Sequence, residues 1–322
     1  MAQNNVAHGK EVYRWCDTCG TLLLGRGCSA CGSAGREFEI NSPGDIRPCM
    51  GESTDMLRML FTEAFGTFSP LEGRAVFFNK VPGEDRTDEI VAHGAVIGVL
   101  RFDMRANRLV IELRQPGVDL FRDAAVKNVV VFANMSGHLK GKSIPGANIT
   151  SVTGEFSEGD PLIVMKAAKA GPGVALGRSD KLAQLDKAVR IRDLNAHSGM
   201  PLSGASGRTE FVSANRDHLL GLESAGISDI KSFVKGKDRP VTVSFSGGKD
   251  SLAAYGIASR AVKDPILLYI DTGLEYPETG EYVRAFTAKR NAKLLIAEAG
   301  NAFWDNVDTF GPPAKDFRWC CK

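Results

Sequence analysis

The apolar positions divide the chain into a front stretch of short strands and a back stretch in which strands and helices alternate. Residues 74–79 (RAVFFN), 95–102 (AVIGVLRF), 109–113 (LVIEL), 128–133 (NVVVFA), 148–152 (NITSV) and 161–165 (PLIVM) are apolar runs of strand length. Pro82-Gly83, Pro116-Gly117, Pro145-Gly146, Glu158-Gly159-Asp160 and Gly171-Pro172-Gly173 read as turns between them, so compact, mostly-β modules are expected. Residues 195–207 (NAHSGMPLSGASG) read as a linker. Helical spacing follows over 213–234, carried by Leu219, Leu220, Ile227, Ile230 and Phe233. After Pro240 the pattern predicts buried strands at 241–245, 266–270 and 294–297, with helices at 251–262 and 279–291 between them. That alternation predicts a parallel sheet with right-handed crossovers. The ~80 residues after Pro240 are few for a complete doubly wound domain, so the chain is expected to be C-terminally incomplete.

Composition changes this picture little. A chain of 322 residues with 43% hydrophobic and 24% charged residues can bury ordinary cores, and its net charge of +2 names no partner. Residues 1–10 are polar and no apolar run approaches the ~20 residues that span a bilayer, so a cytoplasmic protein without membrane contact is expected.

The cysteines matter more. Cys16-x2-Cys19-x8-Cys28-x2-Cys31, with Gly20 and Gly32 after each pair, places four thiolates on two knuckles of a zinc-ribbon-like segment. Four protein ligands close the shell, so the metal is expected to be structural and a small segment of this kind to need it for folding. Zn²⁺ is the first expectation, and iron in a rubredoxin-like centre the alternative. Cys49 stands alone and reads as a small core residue. His8, His93, His138, His197 and His218 are scattered and form no catalytic arrangement.

The sharpest motif is Ser246-Gly247-Gly248-Lys249-Asp250-Ser251, set between a strand and a helix. The glycines let backbone N–H groups reach a phosphate or sulfate at the helix start. Ser246 and Ser251 add hydroxyl donors, Lys249 adds charge, and Asp250 is placed to hold Mg²⁺ against a pyrophosphate. The spacing is not that of a Walker A loop.

This loop, Asp271-Thr272-Gly273, Glu275-Tyr276-Pro277-Glu278-Thr279, and Gly311-Pro312-Pro313 leading to Arg318-Trp319-Cys320-Cys321 resemble the phosphoadenosine phosphosulfate (PAPS) reductase family, a PP-loop, adenine-nucleotide α-hydrolase-like group. The resemblance covers about 240–322. It implies that Ser246, Gly247, Gly248, Lys249, Asp250, Ser251, Asp271, Thr272, Gly273 and Glu275 bind an adenine nucleotide, with Lys249, Asp250 and Arg318 in catalytic roles. It also implies that Cys320 and Cys321 are half of a [4Fe–4S] site, completed by a missing C-terminal region or a partner chain.

Lys127–Ala133 in outline, Gly141-Lys142-Ser143-Ile144, Gly159-Asp160-Pro161 and Gly177-Arg178-Ser179 resemble a PUA domain, a small β-barrel of RNA-modification enzymes. Over 121–193 there are 11 Lys/Arg against 7 Asp/Glu, a bias that suits RNA. The expected organisation is a metal-binding segment (1–50), a β-rich region (51–120), a PUA-like domain (121–195), a linker (196–212) and an incomplete PP-loop domain (213–322). Three activities fit: sulfonucleotide reduction of adenylyl sulfate or PAPS to sulfite, ATP-dependent thiolation of RNA through an adenylated base, or a non-catalytic nucleotide- and RNA-binding half of a split enzyme.

Overall fold

The computed structural model describes residues 9–83, 86–104, 106–199, 201–202, 204–314 and 316–319. The chain forms two compact units, Met1–His218 and Leu219–Lys322.

The first unit opens with β1 (Lys10–Cys16), β2 (Thr21–Leu23) and β3 (Arg36–Asn41), an antiparallel sheet with β1 central. A five-stranded antiparallel meander follows: β4 (Asp45–Pro48), β5 (Val76–Lys80), β6 (Thr87–Ala92), β7 (Ala95–Asp103) and β8 (Arg108–Leu113). β4 therefore lies within the first fifty residues yet pairs with β5. Helix α1 (Glu52–Phe65) turns Leu57, Leu60, Phe61 and Phe65 inward and ends at Gly66, whose φ of 77° an alanine would resist. Phe61 stacks on Phe121 of α2 (Gln115–Phe121), with ring centroids 4.8 Å apart.

Both faces of the meander are covered, which explains the unbroken burial along β5. Val76 and Phe78 join the core under α1, while Phe77 and Val91 join Trp15, Leu22 and Ile40 of the first sheet. The four-cysteine segment therefore shares a core with the meander. Arg36 fastens the two, donating to the carbonyls of His93 (2.8 Å) and Gly94 (3.2 Å).

The remaining strands of this unit are β9 (Val129–Phe132), β10 (Ser143–Ile144), β11 (Ile149–Thr153), β12 (Pro161–Lys166), β13 (Lys169–Ala175), β14 (Val189–Ile191) and β15 (Asn195–Ala196). They form a sheet ordered β10-β14-β13-β12-β9-β11, with β15 on β13 and the β9/β12 pair parallel. Four residues join the outer strands β10 and β11, so the sheet curls round its own core of Val130, Phe132, Ile144, Leu162, Val164 and Ile191.

Two expected turns are corrected. Gly171-Pro172-Gly173 lies inside β13, where a side chain at 171 would meet the Asp193 carbonyl at 1.9 Å and one at 173 would meet Val164. Pro116-Gly117 opens α2, Gly117 lying against the Ile97 carbonyl. The stretch expected to be a linker is built into the first unit. β15 pairs with β13, Ser206 donates its N–H to the Gly73 carbonyl, and α3 (Arg208–Ala214) docks on the four-cysteine segment. Asn215 seals that contact by accepting from Leu24 N–H (2.6 Å) and donating to the Leu22 carbonyl (2.8 Å).

Helix α4 (Arg216–Val234) runs into the second unit. There β16 (Thr242–Ser244), β17 (Ile266–Asp271) and β18 (Leu294–Glu298) form a parallel sheet in that order, with α5 (Lys249–Ala261) and α6 (Pro277–Arg290) as crossovers and α7 (Ala302–Phe310) following. Strand positions match the apolar pattern; burial does not. β16 and β18 are half-exposed, and the core is Phe245, Leu267, Tyr269 and Val283. A parallel sheet is covered on both faces in most folds, and this one has too little chain packed on it. No helix among the described residues is long and apolar enough to cross a membrane.

Candidate functional site

The loop between β16 and α5 is held from both ends. Phe245 N–H donates to the Leu268 carbonyl of β17 at 2.8 Å, and Gly248 caps α5. Its two glycines differ. Gly247 has φ of 77°, and a side chain there would come within 3.1 Å of the Tyr282 ring. Gly248 has an ordinary φ, and its added carbon would meet only Ser246 Oγ at 3.5 Å. Gly247 thus serves the fold of the loop, whereas Gly248 leaves open space where an anion would sit. Ser251 Oγ donates to the Gly248 carbonyl (2.9 Å), and the Ser246 and Ser251 hydroxyl oxygens stand 3.4 Å apart. Lys249 Nζ pairs with Asp250 Oδ1 at 2.8 Å on the exposed first turn of α5. N–H groups of a first helical turn lack intrahelical acceptors, so hydroxyls, an ammonium and free donors converge here.

A second loop leaves β17 beside it. Gly273 N–H donates to Asp271 Oδ1 (3.0 Å), and a side chain at Gly273 would strike the Gly300 carbonyl at 2.7 Å. Glu275 accepts from Thr272 N–H (2.8 Å), Thr272 Oγ1 (2.8 Å) and Leu274 N–H (3.3 Å). Burial works to raise its pKa, but these hydrogen bonds outweigh it and hold the carboxyl below the usual range. Glu275 is a staple of its own loop. Between the loops lies a cavity of about 150 Å³ lined by Phe245, Ser246, Leu268, Ile270, Glu275 and Thr279, among others.

Of the sequence-predicted residues, Ser246 and Glu275 line this cavity and the rest of 247–251 and 271–273 flank it. Arg318 does not line it; it precedes Trp319, which stacks on Phe303 of α7 (5.2 Å) and donates Nε1–H to the Gly311 carbonyl (3.0 Å). Cys320 and Cys321 lie outside the described residues. Sequence reasoning missed Phe245 and Tyr282 and gave Thr279 only as part of a family motif; Thr279 and Tyr282 sit three apart on α6, a spacing that marks one helix face. A larger groove of about 1120 Å³ runs along α4, lined by apolar residues such as Ile230, Phe233, Val243 and Ile257. It contains none of the loop's donors.

In the first unit, Cys16, Cys19, Cys28 and Cys31 bring their sulfurs within 4.8 Å of one another. Cys16 Sγ lies 3.4 Å from Cys31 Sγ, and Cys19 Sγ 3.6 Å from Cys28 Sγ. A tetrahedral zinc site with Zn–S of about 2.3 Å sets sulfurs about 3.8 Å apart, so the donor set fits such a metal. Burial pushes the Cys16 and Cys19 thiols up, while the Ser33 N–H and then Cys16 bring Cys31 down to about 7. Thiolates this close repel one another without a cation among them.

Residues 240–322 match the phosphoadenosine phosphosulfate reductase domain. The uncharacterised protein MJ0066 of Methanocaldococcus jannaschii is 31% identical over 327 residues, spanning 97% of this chain and 68% of that protein. The chain belongs to the MJ0066 family. MJ0973, a second uncharacterised protein of the same organism, is 27% identical over 76% of this chain, which spans 57% of it. The MJ0066-family chain thus carries a PAPS reductase domain behind a mostly-β region with a four-cysteine cluster. A conserved PUA domain protein from Thermoplasma acidophilum is a structural neighbour over 48% of this chain and 97% of its own, at 13% identity and a TM-score of 0.35. A superposition that loose transfers no ligand.

Proposed function

We propose that residues 246–251 bind the phosphate or sulfate end of an adenine nucleotide, and that the chain's reaction is reduction of adenylyl sulfate or PAPS to sulfite. The observation that carries this reading is the strand–Gly-Gly–helix junction, with Ser246, Lys249 and Ser251 around it and a cavity beside it. In the reaction a thiolate attacks the sulfate sulfur, and the S–O bond to the nucleotide phosphate breaks with its electron pair leaving on the phosphate. A second thiol then releases sulfite and forms a disulfide, so two thiols supply the two electrons. The loop N–H groups, the two serine hydroxyls and Lys249 stabilise charge on the departing phosphate. Asp250 would hold Mg²⁺, and Arg318 is the expected further anion contact. The four N-terminal cysteines hold Zn²⁺ as a structural ion. Cys320 and Cys321 would supply two of the thiolates of an iron–sulfur cluster.

A second reading is ATP-dependent thiolation of RNA. A base carbonyl oxygen attacks the α-phosphate of ATP and pyrophosphate leaves; the terminal sulfur of a persulfide then attacks the activated carbon and expels AMP, and a second thiol cleaves the S–S bond, leaving the thiolated base and a disulfide. The observation favouring it is that metal segment, meander and curled sheet form one unit of 218 residues, more apparatus than a small-molecule reductase requires.

Incubation of the full chain with adenylyl sulfate or PAPS and excess dithiol, with sulfite measured, separates the two. Sulfite release that disappears in Gly248→Ala supports the first. No sulfite, but AMP formation dependent on RNA, ATP and a persulfide donor, overturns it in favour of the second.

A further inference from the structure

In the first unit a polar cleft of about 400 Å³ opens between the end of the meander and the curled sheet. Arg114, at the start of α2, stands on one wall. Lys140 and Arg192 stand on the other, and the backbone of Pro172 and Gly173 in β13 forms part of the lining. The two sides share a continuous core, since Val129, Ile163 and Ala170 of the curled sheet pack with Leu113, Val118 and Phe121, so the cleft is a fixed feature.

Its charges are not balanced from within. Of the acids in the lining, Glu112 is held by Arg101 at 2.8 Å and Asp193 by Lys140 at 3.5 Å. Gln115 is occupied with Asp119 and the Ala170 carbonyl. Arg114 and Arg192 remain: both are exposed, their backbone N–H groups are bound to the Ile97 and Pro172 carbonyls, and their guanidinium groups have no ion-pair or hydrogen-bond partner among the described residues. Strand alternation sets Arg190 and Arg192 outward around the buried Ile191, and Lys142 is exposed where β14 meets the chain leading to β10, so basic groups continue beyond the cleft.

We propose that this cleft grips the phosphodiester backbone of single-stranded RNA, with Arg114 and Arg192 as its two anion contacts. Unpaired guanidinium groups match phosphate oxygens in a planar fork, and the volume suits a sugar-phosphate unit better than a bare anion. The continuation of positive charge along β14 fits a chain of phosphates rather than one. The inference rests on the RNA reading and names the surface that reading needs. That surface lies in the first unit.

The test is fluorescence anisotropy of the full metal-loaded chain with a labelled single-stranded RNA 12-mer, titrated at several salt concentrations. Arg114→Ala and Arg192→Ala are each expected to weaken binding about tenfold and to flatten the salt dependence by about 0.7 per lost contact, while Lys80→Ala, a charge loss outside the cleft, changes neither. Inorganic phosphate at millimolar concentration is expected to compete weakly. RNA binding that is equal in wild type and the Arg114→Ala/Arg192→Ala double variant overturns the cleft while leaving the RNA reading intact. No RNA binding by a chain that still binds ATP overturns the RNA reading itself. Equal loss of binding to polyglutamate and RNA in the variants would make the cleft a general polyanion surface and overturn the assignment to RNA.

Discussion

The two units solve the burial problem differently. In the first, every layer of sheet has another layer on it: Phe61, Phe77, Phe121 and Phe132 are all but fully buried, on both sides of the meander and inside the curled sheet. In the second, a three-stranded parallel sheet leaves Ile270 and Leu295 each 53% exposed, and neither α4 nor α7 buries a residue fully. The candidate nucleotide loop belongs to the thinly covered unit and the candidate metal site to the thickly covered one. The thickly packed core and the candidate nucleotide loop are therefore carried by different parts of the chain, and substitutions should separate them.

The largest effect should come from the metal. Removing it with a chelator, or Cys16→Ser, should cost the first unit on the order of 5 kcal/mol, less than the ~10–16 kcal/mol of isolated zinc-finger peptides because Trp15 and Ile40 stay packed on Phe77. Thermal unfolding with and without Zn²⁺ reads this, and the second unit's transition should not move. Next, Phe61→Ala should cost about 3–5 kcal/mol in urea unfolding, while Leu295→Ala should cost less than about 1 kcal/mol. Equal costs would erase the contrast between the units.

Within the loop the contrast sharpens. Gly247→Ala forces a side chain into a left-handed backbone and toward Tyr282, so it should destabilise the second unit by about 1–2 kcal/mol. Gly248→Ala should leave unfolding unchanged and weaken nucleotide binding. The smallest effect concerns pH. Burial, and then the Arg74 charge, hold His93 below its usual 6.5. The folded state thus favours neutral His93. Its contribution is complete above about pH 6.5 and is lost as pH falls toward the folded-state value. His93→Gln should flatten the stability–pH profile of the first unit over that range.

Much of the second unit was legible because its elements alternate. β17 and the helices after it follow local apolar periods, and Gly-Gly between strand and helix marks the loop. Exposure of β16 and β18 was not legible, since an apolar strand reads the same whether or not anything covers it. In the first unit the obstacles were non-local. β6 (TDEIVA) is not among the predicted strands because its two acids interrupt the apolar pattern, yet Asp88 is buried against Arg47 and Arg86, and Glu89 against Asn79. β13 (KAGPGVA) reads as a turn because its glycines answer to the Asp193 carbonyl and Val164, which the local sequence does not reveal. In the site, Glu275 reads as a ligand by motif, and only the loop geometry shows its oxygens bound to Thr272. The cysteine quartet needed nothing beyond its spacing.

The most direct test of nucleotide binding at 246–251 is calorimetric titration of the zinc-loaded chain with ATP, adenylyl sulfate and PAPS, each with and without Mg²⁺, in wild type and Gly248→Ala. The account predicts that at least one nucleotide binds, and that Gly248→Ala weakens it by about tenfold or more with an unchanged unfolding curve. Binding of equal strength in the variant, or none in the wild type, would contradict it.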